Sequence, residues 1–159
     1  MAAAVAEAHR VLQRGGLLLD IHPTDEPASL EIWHARYAQR AEDDFIESAE
    51  NLEAIHRVPV GYLDHDAEML GDFTAATDAL TEALEDESRF HLERSTVFDY
   101  RYFFDSLDEL TDYLEENLEY AHASDALLER AVVAMRQAVT TPKIVIVQRT
   151  AATALRKIS

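Results

Sequence analysis

Residues 9–23, HRVLQRGGLLLDIHP, carry the sharpest local signal in the sequence. Residues 3–14 put Val5, Ala8 and Leu12 on one face of a helix. Gly15 and Gly16 stop it, because glycine accepts the left-handed conformation of a helix C-terminus without steric penalty. LLLDIHP (17–23) follows at once. A continuous apolar run entered from a tight glycine turn suits a strand buried on both faces, as in parallel sheets with helices on both sides. The stretch predicts an α/β fold.

Outward from it, residues 28–56 admit two patterns. Leu30, Trp33, Tyr37, Ala41, Phe45, Ser48, Leu52 and Ile55 recur at helical spacings, yet LEIW (30–33) and AIHRVPVGYLD (54–64) look like short strands. The preferred expectation is strand, helical insert at about 35–50, strand. Asp66 can cap a helix whose face is Met69, Phe73, Ala76, Leu80 and Leu84. Residues 90–104 alternate, with Phe90, Leu92, Thr96, Phe98, Tyr100, Tyr102 and Phe104 on one side, which predicts an antiparallel strand with that face buried. Ser106 to Glu109 form a capping box before a helix with Leu107, Leu110, Leu114 and Leu118 inward. Ser124 starts another helix, with Leu128, Val132, Met135 and Val139 inward, and KIVIVQRTA (143–151) is a final strand.

The chain has 159 residues, 48% of them apolar, enough for one domain with a real core. Its formal charge of −17 argues against nucleic acid, which needs a basic face, and against an anionic membrane surface. The charge is uneven: residues 24–125 hold 28 acids against six bases, whereas residues 126–159 hold one acid against six bases. There is no cysteine, which excludes disulfides, thiolate metal sites and cysteine nucleophiles. Glu7, His9 and Arg10 interrupt the opening where a signal peptide needs an apolar core, so a cytoplasmic location is expected.

HRVLQRGGLLLDIHP resembles the late motif of class I S-adenosylmethionine-dependent methyltransferases, in which a helix ending in a VL-x-PGG pattern feeds the fifth strand of a Rossmann-like sheet. Gln13-Arg14 replaces the more usual basic residue and proline before the glycines. The long strand ending YFFDS resembles the sixth strand and KIVIVQR the seventh. The resemblance implies a partial methyltransferase-like sheet with flanking helices, residues 1–159 forming a single domain like the carboxy-terminal half of such an enzyme.

In that family the first half-domain holds the cofactor, through a glycine-rich turn. This sequence has four glycines, Gly15, Gly16, Gly61 and Gly71, and no G-x-G. The resemblance therefore implies a truncated methyltransferase-like protein that neither binds S-adenosylmethionine nor methylates alone. The alternatives are a non-enzymatic oligomeric binding module, or a fragment completed by a missing amino-terminal region or partner, Met1 being an internal point of a longer frame. The family order 3-2-1-4-5-7-6 would leave Leu17, Leu18, Leu19, Asp20 and Ile21 as an apolar edge without its fourth-strand neighbour. Such an edge invites a homodimer or a complementary chain.

Asp20 and His22 end the predicted strand at the edge where open α/β sheets place ligands, and are weak catalytic candidates as a polar wall or proton acceptor. The competing explanation is hydrogen bonding to loop backbone. His56, Asp64, His65 and Asp66 form the most metal-like cluster, although seven histidines among 31 acids make such a cluster expected by chance. Tyr100, Tyr102, Phe103 and Phe104 fit core better than a substrate pocket, and Trp33 fits packing better than a ligand cap. The acidic runs 42–44 and 85–87 read as solvated faces.

Overall fold

A computed structural model of the chain describes residues 2–35, 55–85, 89–117 and 121–159. The elements in order are α1 (Ala2–Val11), β1 (Leu17–Pro23), β2 (Ser29–Ala35), β3 (Ile55–Tyr62), β4 (Asp64–His65), α2 (Ala67–Glu85), β5 (Phe90–Phe104), α3 (Leu107–Asn117), β6 (Ala121–His122), α4 (Asp125–Arg136) and β7 (Lys143–Lys157). The class is mixed α/β. Every strand register among the described residues is antiparallel, so the expected parallel arrangement is not seen.

The chain forms two compact units: Met1–Glu26, Asp66–Tyr100 and Gln148–Ser159 make the first, Pro27–His65 and Arg101–Val147 the second. In the first, β1 runs antiparallel to β7 from Leu17↔Arg156 to Pro23↔Thr150. β5 also pairs with β7. Its side chains Glu93, Ser95 and Asp99 meet Arg156, Thr153 and Arg149, numbers that fall as the others rise, so this pairing is antiparallel too. Since β1 already occupies one edge of β7 over these residues, β5 takes the other, and β7 lies between them. The Arg156 guanidinium donates to Glu93 and holds its carboxyl below the usual range.

One face of this three-stranded patch is covered by α1 and α2. Val5, Ala79, Leu80, Ala83, Phe90 and Leu155 form its core, with Leu12, Leu18 and Leu84 partly buried against it. Gly15 has φ +78°, the left-handed turn that the sequence led us to expect. The last carbonyls of α1 are satisfied from far along the chain: Lys157 Nζ donates to His9 O (2.7 Å) and Leu12 O (2.9 Å). A cation there also opposes the partial negative charge of the helix C-terminus.

β1 is not buried on both faces, contrary to expectation. Leu18 and His22 turn toward the helices, whereas Leu17, Leu19 and Ile21 are 42%, 66% and 68% exposed. The apolar run records a strand but not which of its faces a helix covers. β5 departs similarly: Phe90 and Phe104 are buried, but residues 91–98 are exposed on both sides of the strand.

In the second unit β2 is central, paired with β3 and with the first half of β7. The expected strands at LEIW and AIHRVPVGYLD are both present; the helical insert at 35–50 falls almost wholly outside the described residues. Leu30, Ile32, Ile144 and Ile146 share one sheet face and pack with Leu110 and Leu114 of α3 and Leu127, Ala131 and Ala134 of α4. Trp33, Ile55 and Val145 pack on the opposite face. The capping box forms, with Glu109 N–H donating to Ser106 Oγ (3.1 Å) and Asp105 N–H to Glu109 Oε2 (2.7 Å). On α4 the buried stripe is Leu127, Ala131 and Ala134, one residue before the predicted one, and Val133 and Val139 are exposed. Small alanines let that helix lie close to the sheet, which hydrophobicity alone does not reveal.

Between Leu30 and Glu31 the register shifts: Leu30 faces Gly61 and Glu31 faces Pro59, leaving Val60 as the extra residue of a bulge. Arg130 Nε donates to the Val60 carbonyl (3.1 Å). Gly61 has φ +155°, and a Cβ there would lie 2.9 Å from Leu127 Cδ1 and 3.0 Å from Arg130 Nη2. Gly71, within α2, has nothing within 4 Å of a Cβ. Urea unfolding should separate the two. Gly61→Ala is expected to destabilise by about 1–3 kcal/mol through crowding, and Gly71→Ala to stabilise by about 0.5–1 kcal/mol through backbone entropy; effects of the same sign would contradict this packing.

Candidate functional site

Alternation along β1 turns Asp20 and His22 to the face that α2 covers, so their side chains lie two residues apart on one side of a strand. His22 Nδ1 is 2.5 Å from Asp20 Oδ2, and the pair is largely buried, with side chains 9% and 16% exposed. The other ring nitrogen, Nε2, is 3.1 Å from Thr77 Oγ1 on α2. The Asp20 carboxylate can only accept, so Nδ1 carries a proton and donates. A carboxylate, an imidazole and a hydroxyl thus form one hydrogen-bonded line.

The hydroxyl can adapt to either protonation state of the ring. Thr77 Oγ1 is also 3.3 Å from the Phe73 carbonyl, one turn back on α2. Against neutral His22, the Thr77 hydroxyl donates to Nε2. Against imidazolium, Nε2–H donates to Thr77 Oγ1, whose own proton turns to Phe73 O. No buried donor of the line is left without an acceptor in either arrangement.

The structure brings the two sequence candidates Asp20 and His22 together. Thr77 was missed, because a threonine 55 residues away carries no local signal. The metal-like set is not assembled: His65 Nδ1 donates to Leu63 O (3.0 Å), Asp66 Oδ1 accepts from Glu68 N–H (2.7 Å) at the start of α2, and Asp64 is exposed on β4. His56 instead faces His34 across β2 and β3, with Nδ1 3.2 Å from His34 Nε2. Among the described residues no group of three or more His, Asp or Glu is placed to hold a metal ion.

The aromatic candidates are structural. Trp33 is 1% exposed, donates Nε1–H to Glu31 Oε2 (2.6 Å) and carries Arg57 at 4.3 Å and Arg101 at 5.6 Å from its ring centre. Tyr102 and Phe104 pack on Tyr113, and Phe103 on Trp33. Tyr100 is half exposed. The run 42–44 lies outside the described residues; of the run 85–87, only Glu85, the last residue of α2, is described. A cavity of about 590 Å³ elsewhere in the first unit, lined by residues that include Ala2, Ala6, Ala79, Glu82 and Arg89, contains none of the candidate residues. No protein-family model, curated protein or solved structure matches the chain.

Denaturant unfolding of variants tests the hydrogen-bonded line. His22→Leu should cost about 1–3 kcal/mol by leaving the Asp20 carboxylate without its donor, and Thr77→Val about 0.5–1.5 kcal/mol. The double variant should cost less than the sum, because both remove the same bond; strict additivity would show that His22 and Thr77 do not interact.

Proposed function

We propose that the chain is the carboxy-terminal half of a methyltransferase-like fold, unable to bind S-adenosylmethionine or transfer a methyl group by itself. The observation that carries this reading is the make-up of the first unit: helix, strand, helix, strand, strand, with the last strand antiparallel between the other two. This order supports reading β1, β7 and β5 as counterparts of the fifth, seventh and sixth strands at one end of the family's sheet. The second unit consists of Pro27–His65, between β1 and α2, and Arg101–Val147, which takes in the end of β5 and the start of β7; YFFDS and KIVIV therefore belong to it, and the likeness rests on the remaining parts of those two strands.

The sequence offers no G-x-G turn for a cofactor. That turn would come from residues outside these 159 or from another polypeptide, and residues of this chain would line the acceptor side. Asp20 and His22 lie beneath α2 with both ring nitrogens of His22 engaged, by Asp20 and by Thr77, so their contribution would be to hold β1 against α2. Methyl transfer depends mainly on positioning an electrophilic sulfonium against its nucleophile, so few residues of this half would be diagnostic. Among the described residues no helix is long and apolar enough to cross a membrane.

A second reading, a non-enzymatic oligomeric module, is favoured by the exposed side chains of Leu17, Leu19 and Ile21. The module reading requires a homodimer or a complementary chain at β1, and the methyltransferase reading requires either such a chain or a preceding segment of the same polypeptide. They differ in whether a cofactor-binding half exists. The DNA preceding the codon for Met1 decides between them: the methyltransferase reading predicts an in-frame strand–G-x-G–helix segment there or in a co-purifying chain, and the module reading predicts neither. Calorimetry of the 159-residue chain with S-adenosylmethionine should show no binding tighter than millimolar. Micromolar binding would overturn the account of the absent turn.

A further inference from the structure

We propose that His34 and His56, in the second unit, form a two-imidazole seat for a divalent transition-metal ion such as zinc, nickel or copper. The two residues face each other directly across the antiparallel β2–β3 pair. His34 is 5% exposed, and its Nδ1 lies 3.1 Å from the Ala35 carbonyl, which can only accept. The proton is therefore on Nδ1, and Nε2 presents its lone pair as an acceptor. A histidine whose second nitrogen donates to a backbone carbonyl is oriented and made more basic, the arrangement that supports metal-bound imidazoles.

That lone pair is aimed at His56 Nδ1, 3.2 Å away, with the rings perpendicular and their centres 5.0 Å apart. Two nitrogens at this separation, each about 2.0–2.1 Å from an ion, subtend an angle of about 100° at it, close to tetrahedral. The ion would lie off the line joining the nitrogens. His56 is exposed and can turn to meet it, whereas His34 is held. His56 now donates Nδ1–H to His34; on binding, its proton moves to Nε2, so neither ring need lose a proton to solvent. Imidazole ligands suit zinc, nickel and copper, and water would fill the remaining positions.

The bland alternative is a simple imidazole–imidazole hydrogen bond, and the two are distinguished by titration. Zinc added to the whole chain and followed by calorimetry should show one site of micromolar affinity above weaker carboxylate binding. His56→Gln should weaken that site at least tenfold, and so should His34→Gln. His56 is exposed, so its variant keeps the test valid if the His34 variant fails to fold. His122→Gln, on β6, should leave the affinity unchanged. With copper, electron paramagnetic resonance should show coupling to two nitrogens, reduced to one in His56→Gln. Binding equal in the wild type and His56→Gln, or only millimolar binding, would overturn the proposal.

Discussion

The antiparallel ladder on β7 is the interaction on which the rest of the structure depends. Its later half accepts β1 on one edge and β5 on the other; its earlier half pairs with β2. Residues of β7 are correspondingly among the most buried: Ile144, Val145 and Leu155 are fully buried, and Ile146 nearly so. Each core depends on them. Leu155 joins α1 and α2 in the first unit, Ile144 and Ile146 join α3 and α4 in the second, and Val145 backs Trp33. The end of the same strand closes α1, since Lys157 binds its last carbonyls.

Pairing with β7 also fixes the environment of β1. Because β1 lies antiparallel beside it, alternate side chains are divided sharply between a covered and an open face. The covered face aligns Asp20 and His22 with Thr77. The open face leaves Leu17, Leu19 and Ile21 in water. The candidate site and the exposed apolar face are thus two sides of one seven-residue strand. Burying a large aliphatic side chain contributes about 1.5–3 kcal/mol, and association costs about 4–15 kcal/mol in lost freedom. Three partly exposed side chains reach only the lower part of that range, so stable association also needs strand-to-strand hydrogen bonds along the β1 edge.

Local chemistry made much of this legible in the sequence. Gly15 announced a left-handed turn, Ser106 and Glu109 a capped helix, and the β-branched and aromatic residues around Trp33 and Val58 a pair of strands. Information about partners was not legible. LLLDI states that a strand exists but not that its neighbours run antiparallel, nor that one face stays open. On α4 the buried stripe follows the small residues Ala131 and Ala134 rather than the larger Val132 and Val133, because proximity to the sheet was worth more than side-chain size. For the same reason Asp20 and His22 could be named while Thr77 and His34 could not: each is brought to its partner only by the tertiary fold.

The central claim is that β1 is an incomplete strand whose open side another chain covers. Light scattering on the purified protein from micromolar to several hundred micromolar, alongside a Leu19→Lys variant, tests it most directly. The account predicts that the wild type reaches twice the monomer mass and that the variant, which places a charge at the centre of the open face, remains monomeric. A wild type that stays monomeric throughout, with well-dispersed NMR signals, would contradict it.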